Sequence, residues 1–252
     1  MLERTTVTRY VTPLREGGSL PGVVEAADLG TYVAKFRGAG QGVKVLVAEI
    51  VVAGLAALVD VPVPRLVLLD LDAPIARYEA DEEVQDLLTA SLGLNLGVDL
   101  LPGAFGYDGS APPPPDLAAR IVWLDALTAN VDRTWANPNL LVWNGATWAI
   151  DHGAALYVHH SWPSKAPDPA RFAGLPYDVS RHVLRDVAAP VAPRHDELAA
   201  RLTPDAVAAV VADVPDEWLE TTPYLPDVAA VRAAYGDLLA ARLASTAWVP
   251  GA

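Results

Sequence analysis

The stretch LDALTANVDRTWANPNLLVWNGATWAIDHG, residues 124–153, decides the fold. It reads as a helix ending near Asn130, a loop carrying Asp132 and Asn137, two short apolar runs around Asn144-Gly145, and then Asp151-His152-Gly153. Asn-Gly between strand-like runs marks a two-residue hairpin, because a type I′ turn needs positive φ at both central residues. Pairing Trp143 with Ala146 sets Pro138 opposite Asp151 and Asn137 opposite His152. The register therefore predicts Asn137 and Asp151 side by side at the open end, with two oxygen-bearing side chains converging.

Converging oxygens suit a hard cation. Mg²⁺ is usually held by one or two protein groups and takes its remaining ligands from substrate phosphates and water. Asp132 stands five residues before Asn137, a spacing that lets the Asp face an attacking hydroxyl while the Asn turns to the metal. A catalytic Asp, a metal-binding Asn, a hairpin, then a metal-binding Asp followed by Gly is the order of parts in a protein-kinase catalytic segment. The competing reading is an ordinary helix, loop and hairpin whose Asp and Asn residues only make turns.

Working outward toward the N-terminus, residues 5–13, 23–26 and 31–36 read as strands. Between the first two, Gly17-Gly18-Ser19 can let backbone N–H groups approach a phosphate, or can be a plain surface turn. Lys35 is a cation amid apolar residues of a strand. Residues 43–59, VKVLVAEIVVAGLAALV, form a helix that is apolar nearly all round and hence buried. The helix is too short, and carries Lys44 and Glu49, for a membrane span. A buried carboxylate at Glu49 needs a cation, for which Lys35 is the natural candidate; the alternative is a Glu49 at a solvent edge.

Residues 63–71 read as a further strand, 79–90 as an exposed acidic helix, and 93–106 as a strand that breaks at Pro102-Gly103, with a hinge near 99–103. Residues 110–115 make a stiff linker, after which Asp116 is expected to cap a helix. Thr203-Pro204 and Asp227 open further helices, the last running to about Ser245. His152, His159, His160, His182 and His195 lack metal-protease spacing, and without Cys a zinc site is disfavoured.

The chain has 252 residues, 52% hydrophobic and 19% charged, ample for a packed core. With no Cys, disulfides and thiol catalysis are excluded. The start MLERTTVTRY lacks the apolar core of a signal peptide, so a cytoplasmic protein is expected. A net charge of −13 disfavours binding to nucleic-acid phosphates or anionic lipid.

Lys35, Glu49, Asp132, Asn137 and Asp151, with the stretches GGSLPGVVEA, YVAKFRGAGQG, GLNLGVDLLPGAFGYD, NVDRTWANPNLLVW and WAIDHGAAL, resemble the HipA-like kinases, especially compact bacterial members. The resemblance covers most of the chain. It implies an α+β, two-lobed protein-kinase-like fold, with a small β-rich N-terminal lobe over 1–103 and a mostly helical C-terminal lobe over 104–252. It further implies ATP and Mg²⁺ as cofactors and a Ser/Thr hydroxyl as acceptor. By the same resemblance Lys35 holds the α- and β-phosphates and Glu49 orients it. Gly17, Gly18 and Ser19 cover the phosphates, Ser19 being a candidate for self-phosphorylation, and Asp99 and Leu101 meet the nucleotide at the hinge. Asp132 is the base, and Asn137 and Asp151 bind metal. Two departures stand out: HipA itself is longer, and it has His two residues after the catalytic Asp where this chain has Thr134, with Arg133 beside Asp132. The acceptor, protein or small molecule, does not carry over. A nucleotide-binding module without turnover and a metal-dependent hydrolase built on His159 and His160 are the readings from other classes.

Overall fold

Near the N-terminus, β-branched and aromatic residues alternate with polar ones at the period of two that lets a pleated strand bury one face. Strands β1 (Glu3–Pro13), β2 (Gly22–Ala26) and β3 (Thr31–Lys35) form there, followed by helix α1 (Val43–Leu58), strand β4 (Leu66–Leu71), helices α2 (Ala73–Arg77) and α3 (Glu82–Ala90), and strand β5 (Gly93–Asp99). The computed structural model describes residues 1–14, 20–40, 42–77 and 81–251. The chain divides into two compact units, residues 1–46 with 64–102, and residues 47–63 with 103–252.

In the first unit the strands close into a barrel in the order β1-β2-β3-β5-β4. Closure comes from β1, whose Glu3–Thr6 pair in parallel with Val67–Asp70 of β4, while the other pairings are antiparallel. Val7, Val24, Tyr32, Ala34, Val67 and Leu69 point inward and meet Phe36, and α3 covers them with Val84 and Leu88. Burying each larger apolar side chain contributes about 1.5–3 kcal/mol. Asp81 caps α3 by accepting from the N–H groups of Glu83 and Val84.

The second unit holds most of α1 together with β6 (Phe105–Gly106), α4 (Pro115–Thr128), β7 (Leu140–Trp143), β8 (Ala146–Ala149), α5 (Pro169–Gly174), α6 (His195–Arg201), α7 (Pro204–Ala212) and α8 (Val228–Leu243). The run 93–106 is thus two strands in different sheets, since β6 leaves the barrel and pairs with β7. Gly54 allows α1 to approach α7, because a Cβ there would lie 2.6 Å from a methyl of Val210. Helix α4 starts on Pro115, with Pro114 at the cap position and no side-chain cap, so Asp116 is not the cap expected. Proline pre-sets the first helical φ, and Asp116 lies in the first turn, where its charge suits the helix dipole. Thr203 and Asp227 do cap α7 and α8, accepting from Ala206 N at 3.2 Å and Ala230 N at 2.8 Å. Among the described residues no helix is long and apolar enough to cross a membrane.

Candidate active site

Helix α4 is apolar on nearly every side, yet Asp125 sits in it with no exposure. A buried carboxylate must be paired or hydrogen-bonded, and here four side chains meet. Arg133 Nε donates to Asp125 Oδ2 at 2.6 Å and its Nη2 to Oδ1 at 3.3 Å. Asn130 Nδ2 donates to Oδ1 at 2.9 Å, and His182 Nε2 lies 3.0 Å from Oδ2. His182 Nδ1 accepts from Leu184 N at 3.0 Å, which puts the ring proton on Nε2 and makes it a donor to Asp125. Burial pushes the Asp125 carboxyl up, but the Arg133 guanidinium and the His182 hydrogen bond outweigh that and hold it well below the usual carboxylate range.

This buried cluster shapes the loop that follows α4. Ala129 turns the chain through a left-handed conformation at φ 54°, and Asn130 Oδ1 accepts from Asp132 N at 3.2 Å. Arg133 Nη1 donates to the carbonyls of Asn139 and Ile150, the latter at 3.2 Å, tying the loop to the residue before Asp151. The loop also closes on itself, Thr134 N donating to Asn137 O and Asn137 N to Thr134 O. Asp132 is left half-buried, its Oδ2 accepting from Asn137 Nδ2 at 2.8 Å and from Asn139 Nδ2 at 3.4 Å. Its Oδ1 has no hydrogen bond among the described residues. A carboxylate only accepts, so the Asn137 amide must present nitrogen to Asp132, which turns Asn137 Oδ1 away from it.

The hairpin has the expected turn and register: Asn144 at φ 49° and Gly145 at φ 75°, with Trp143 opposite Ala146. Its open end differs from expectation. The ladder stops at Leu140 opposite Ala149, with one further bond from Ile150 N to Asn139 O at 3.0 Å. Asn139 at φ 49° and Asp151 at φ 54° are left-handed, a conformation that cannot continue a pleated ladder. Pro138 therefore does not pair with Asp151, nor Asn137 with His152. Asn137 is placed against Asp132 instead, and Asp151 is exposed just past Ile150.

The donor set is all oxygen, as a hard cation requires. Asn137 Oδ1 makes no hydrogen bond among the described residues, and Asp151 offers a carboxylate. No group of three or more His, Asp or Glu among those residues forms an all-protein metal site, and Mg²⁺ that shares its shell with phosphates needs none. His159 Nδ1 lies 3.0 Å from the Tyr235 hydroxyl, the His159 and His160 rings meet edge to face, and His195 Nδ1 accepts from Trp123 Nε1 at 3.3 Å. Those contacts are structural, and none belongs to a metal-type cluster among the described residues.

The remaining expected residues are placed as follows. Lys35, Asp99 and Leu101 belong to the first unit, and Glu49 to the second. In the barrel Lys35 pairs with Leu96, and Asp99 with Tyr32. Glu49 is 2% exposed, which removes the solvent-edge alternative. Gly17, Gly18 and Ser19 lie outside the described residues. Reading of the sequence missed the cluster of Asp125, Asn130, Arg133 and His182, although a carboxylate in the middle of an apolar helix, the feature that singled out Glu49, also marks Asp125.

Among solved structures, a proinflammatory kinase of Helicobacter pylori, CtkA, matches with a TM-score of 0.55 at 10% identity, over 97% of this chain and 95% of that one. The Golgi casein kinase matches with a TM-score of 0.50 at 13% identity, over 96% of this chain and 72% of that one. At such identity the likeness shows a kinase-like α+β fold alone. No curated protein sequence matches the chain. The sequence pattern of HipA-like kinases matches residues 7–241, nearly the whole length, and the chain belongs to the HipA-like kinase family.

Proposed function

We propose that the protein is an ATP- and Mg²⁺-dependent phosphotransferase that moves a γ-phosphoryl group to a hydroxyl, that of a Ser or Thr in a protein acceptor. The observation that carries this reading is Asp132, whose Oδ2 is held by the amide of Asn137 while Oδ1 makes no hydrogen bond among the described residues. A base must be oriented and must keep an oxygen for the proton it takes. Bound nucleotide and metal supply the phosphoryl group and neutralise its developing charge. Asp132 Oδ1 accepts the proton of the attacking hydroxyl, and Asn137 fixes the carboxylate. Asn137 Oδ1 and Asp151 are the metal ligands, Lys35 holds the phosphates, Glu49 orients Lys35, and Asp99 and Leu101 meet the nucleotide. A β-rich lobe over 1–103 and a mostly helical lobe over 104–252, with a hinge near 99–103, are part of the same reading.

Incubation with labelled ATP and Mg²⁺ tests it. Phosphate is expected on an acceptor, on the protein itself or on water, and Lys35→Met should abolish transfer with the fold intact by circular dichroism. Unchanged transfer in Lys35→Met removes that assignment. Nucleotide binding without transfer to any acceptor or to water makes the protein a binding module.

A further inference from the structure

Beside the catalytic loop the second unit contains a cavity of about 270 Å³ that the reaction outlined above does not use. Its wall includes Val131 and Thr134, close neighbours of Asp132 on either side, and it continues past Leu175, Tyr177 and Arg181 to Arg242. Tyr177 donates its hydroxyl to Asn130 O at 2.8 Å, so its ring stands as a fixed wall. At ~30 Å³ per water, the volume takes roughly nine waters, or one amino-acid side chain with a few waters around it.

The charge of this cavity is opposite to that of the chain. Arg242 is fully buried, and its hydrogen bonds all go to carbonyls, those of Phe172 and Leu175 at the end of α5 and of Ala126 and Leu127 near the end of α4, while its guanidinium lies over the rings of Phe172 and Trp248. Helix ends supply partial negative charge, which makes the burial tolerable, but no carboxylate pairs with Arg242 among the described residues. Burial pulls its guanidinium down to about 10, so it stays charged at neutral pH. Arg181 is exposed and has no hydrogen bond or ion pair among the described residues. Its acidic neighbour, Asp178, already accepts from Ser180 N at 2.9 Å. Arg133, also in the wall, is balanced by Asp125. Two arginines thus face the cavity against one carboxylate, Asp178, which stays charged and interacts with Arg181, so one positive charge is in surplus in a protein of net charge −13. Low-dielectric walls of one sign focus the field on an incoming anion.

We propose that this cavity is an acceptor subsite that receives an acidic side chain, a carboxylate or a phosphoryl group, of a protein acceptor. The proposal rests on the phosphotransferase reading and names its substrate class. Because residues flanking Asp132 form the wall, the acidic residue stands within about three positions of the phosphorylated hydroxyl, at ~3.3–3.6 Å of reach per extended residue. Arg181 selects this group at the mouth and Arg242 supplies the field beneath it.

The test uses short Ser-containing peptides with Glu, phosphoserine, Ala or Lys flanking the Ser, bound to the full chain and followed by fluorescence anisotropy. Wild type should bind the Glu or phosphoserine peptides on the order of tenfold more tightly than the Ala peptide, the scale of one hydrogen bond to a charged group. Arg181→Glu should erase or invert that ranking while leaving peptide-free ATP hydrolysis unchanged. The Glu and phosphoserine arms tell which anion is meant. The same ranking in both proteins, no ranking in wild type, or a preference for Lys overturns the subsite. Binding needs no turnover, so the two ideas fail separately. Acidic preference without phosphoryl transfer removes the kinase reading and keeps the anion site, whereas transfer without acidic preference does the reverse.

Discussion

Replacing Arg133 with Met strips Asp125 of its closest cation while leaving it buried, and breaking such a pair costs about 3–5 kcal/mol. Urea unfolding should show a loss of that size, and a loss under ~1 kcal/mol, the scale of an exposed pair, would show that the cluster contributes little. The same cluster sets an acid limb. The folded Asp125 carboxyl is held below its unfolded value, so its contribution is complete above about pH 4 and is lost as pH falls from there toward its own depressed value. Stability should therefore drop more steeply below about pH 4 in wild type than in Asp125→Asn, as read by urea unfolding at stepped pH. Asp132→Asn should lower transfer by about 10²–10⁴ with ATP affinity by calorimetry unchanged; an equal loss of ATP binding would make Asp132 a metal ligand instead. Asp132 and Asn137 stand out in the sequence by their five-residue spacing, and the structure brings their side chains together at 2.8 Å. His182 was not, since it reaches Asp125 from 57 residues away and no local pattern encodes that meeting.

At the scale of elements, the hairpin shows what a turn can specify. Asn144-Gly145 set the turn and the register from Trp143–Ala146 to Leu140–Ala149. They could not set where the ladder ends, because that is decided by the left-handed backbone at Asn139 and Asp151, and many Asn and Asp residues tolerate positive φ without adopting it. A Cβ on Gly145 would meet nothing within 4 Å, so Gly145→Ala isolates the conformational term. It should cost ~1–2 kcal/mol, seen as a lower thermal midpoint, and no change in midpoint would mean that the turn is free to rearrange. The caps at Thr203 and Asp227 were likewise readable, whereas at Asp116 a preceding Pro-Pro pair displaced the helix start by fixing φ where a cap would stand.

For the whole molecule, net charge is the term that acts at a distance. A chain at −13 repels a free anionic nucleotide, and salt screens that repulsion as the Debye length shrinks from about 30 Å at 0.01 M to about 8 Å at 0.15 M. Stopped-flow association of a fluorescent ATP analogue should accordingly quicken between those ionic strengths. Slowing instead would show that local cations near the nucleotide dominate the field. The family was legible in the sequence because its short stretches, which run from Gly17 to Leu156 within the matched span of residues 7–241, gather the candidate site residues. The grouping of residues 47–63 with 103–252 was not, since it depends on close approaches such as Gly54 to Val210 that join distant positions.

The positive φ of Asn139 and Asp151 also gives a saturation library a legible signature. Ranked for folding, substitutions at both positions should follow backbone tolerance, with glycine best and β-branched residues worst. Ranked for activity at 151, they should follow the carboxylate, and glycine falls with the rest. The two orders part at glycine, so Asp151→Gly removes the carboxylate while sparing the backbone, and Asp151→Val confounds the two losses.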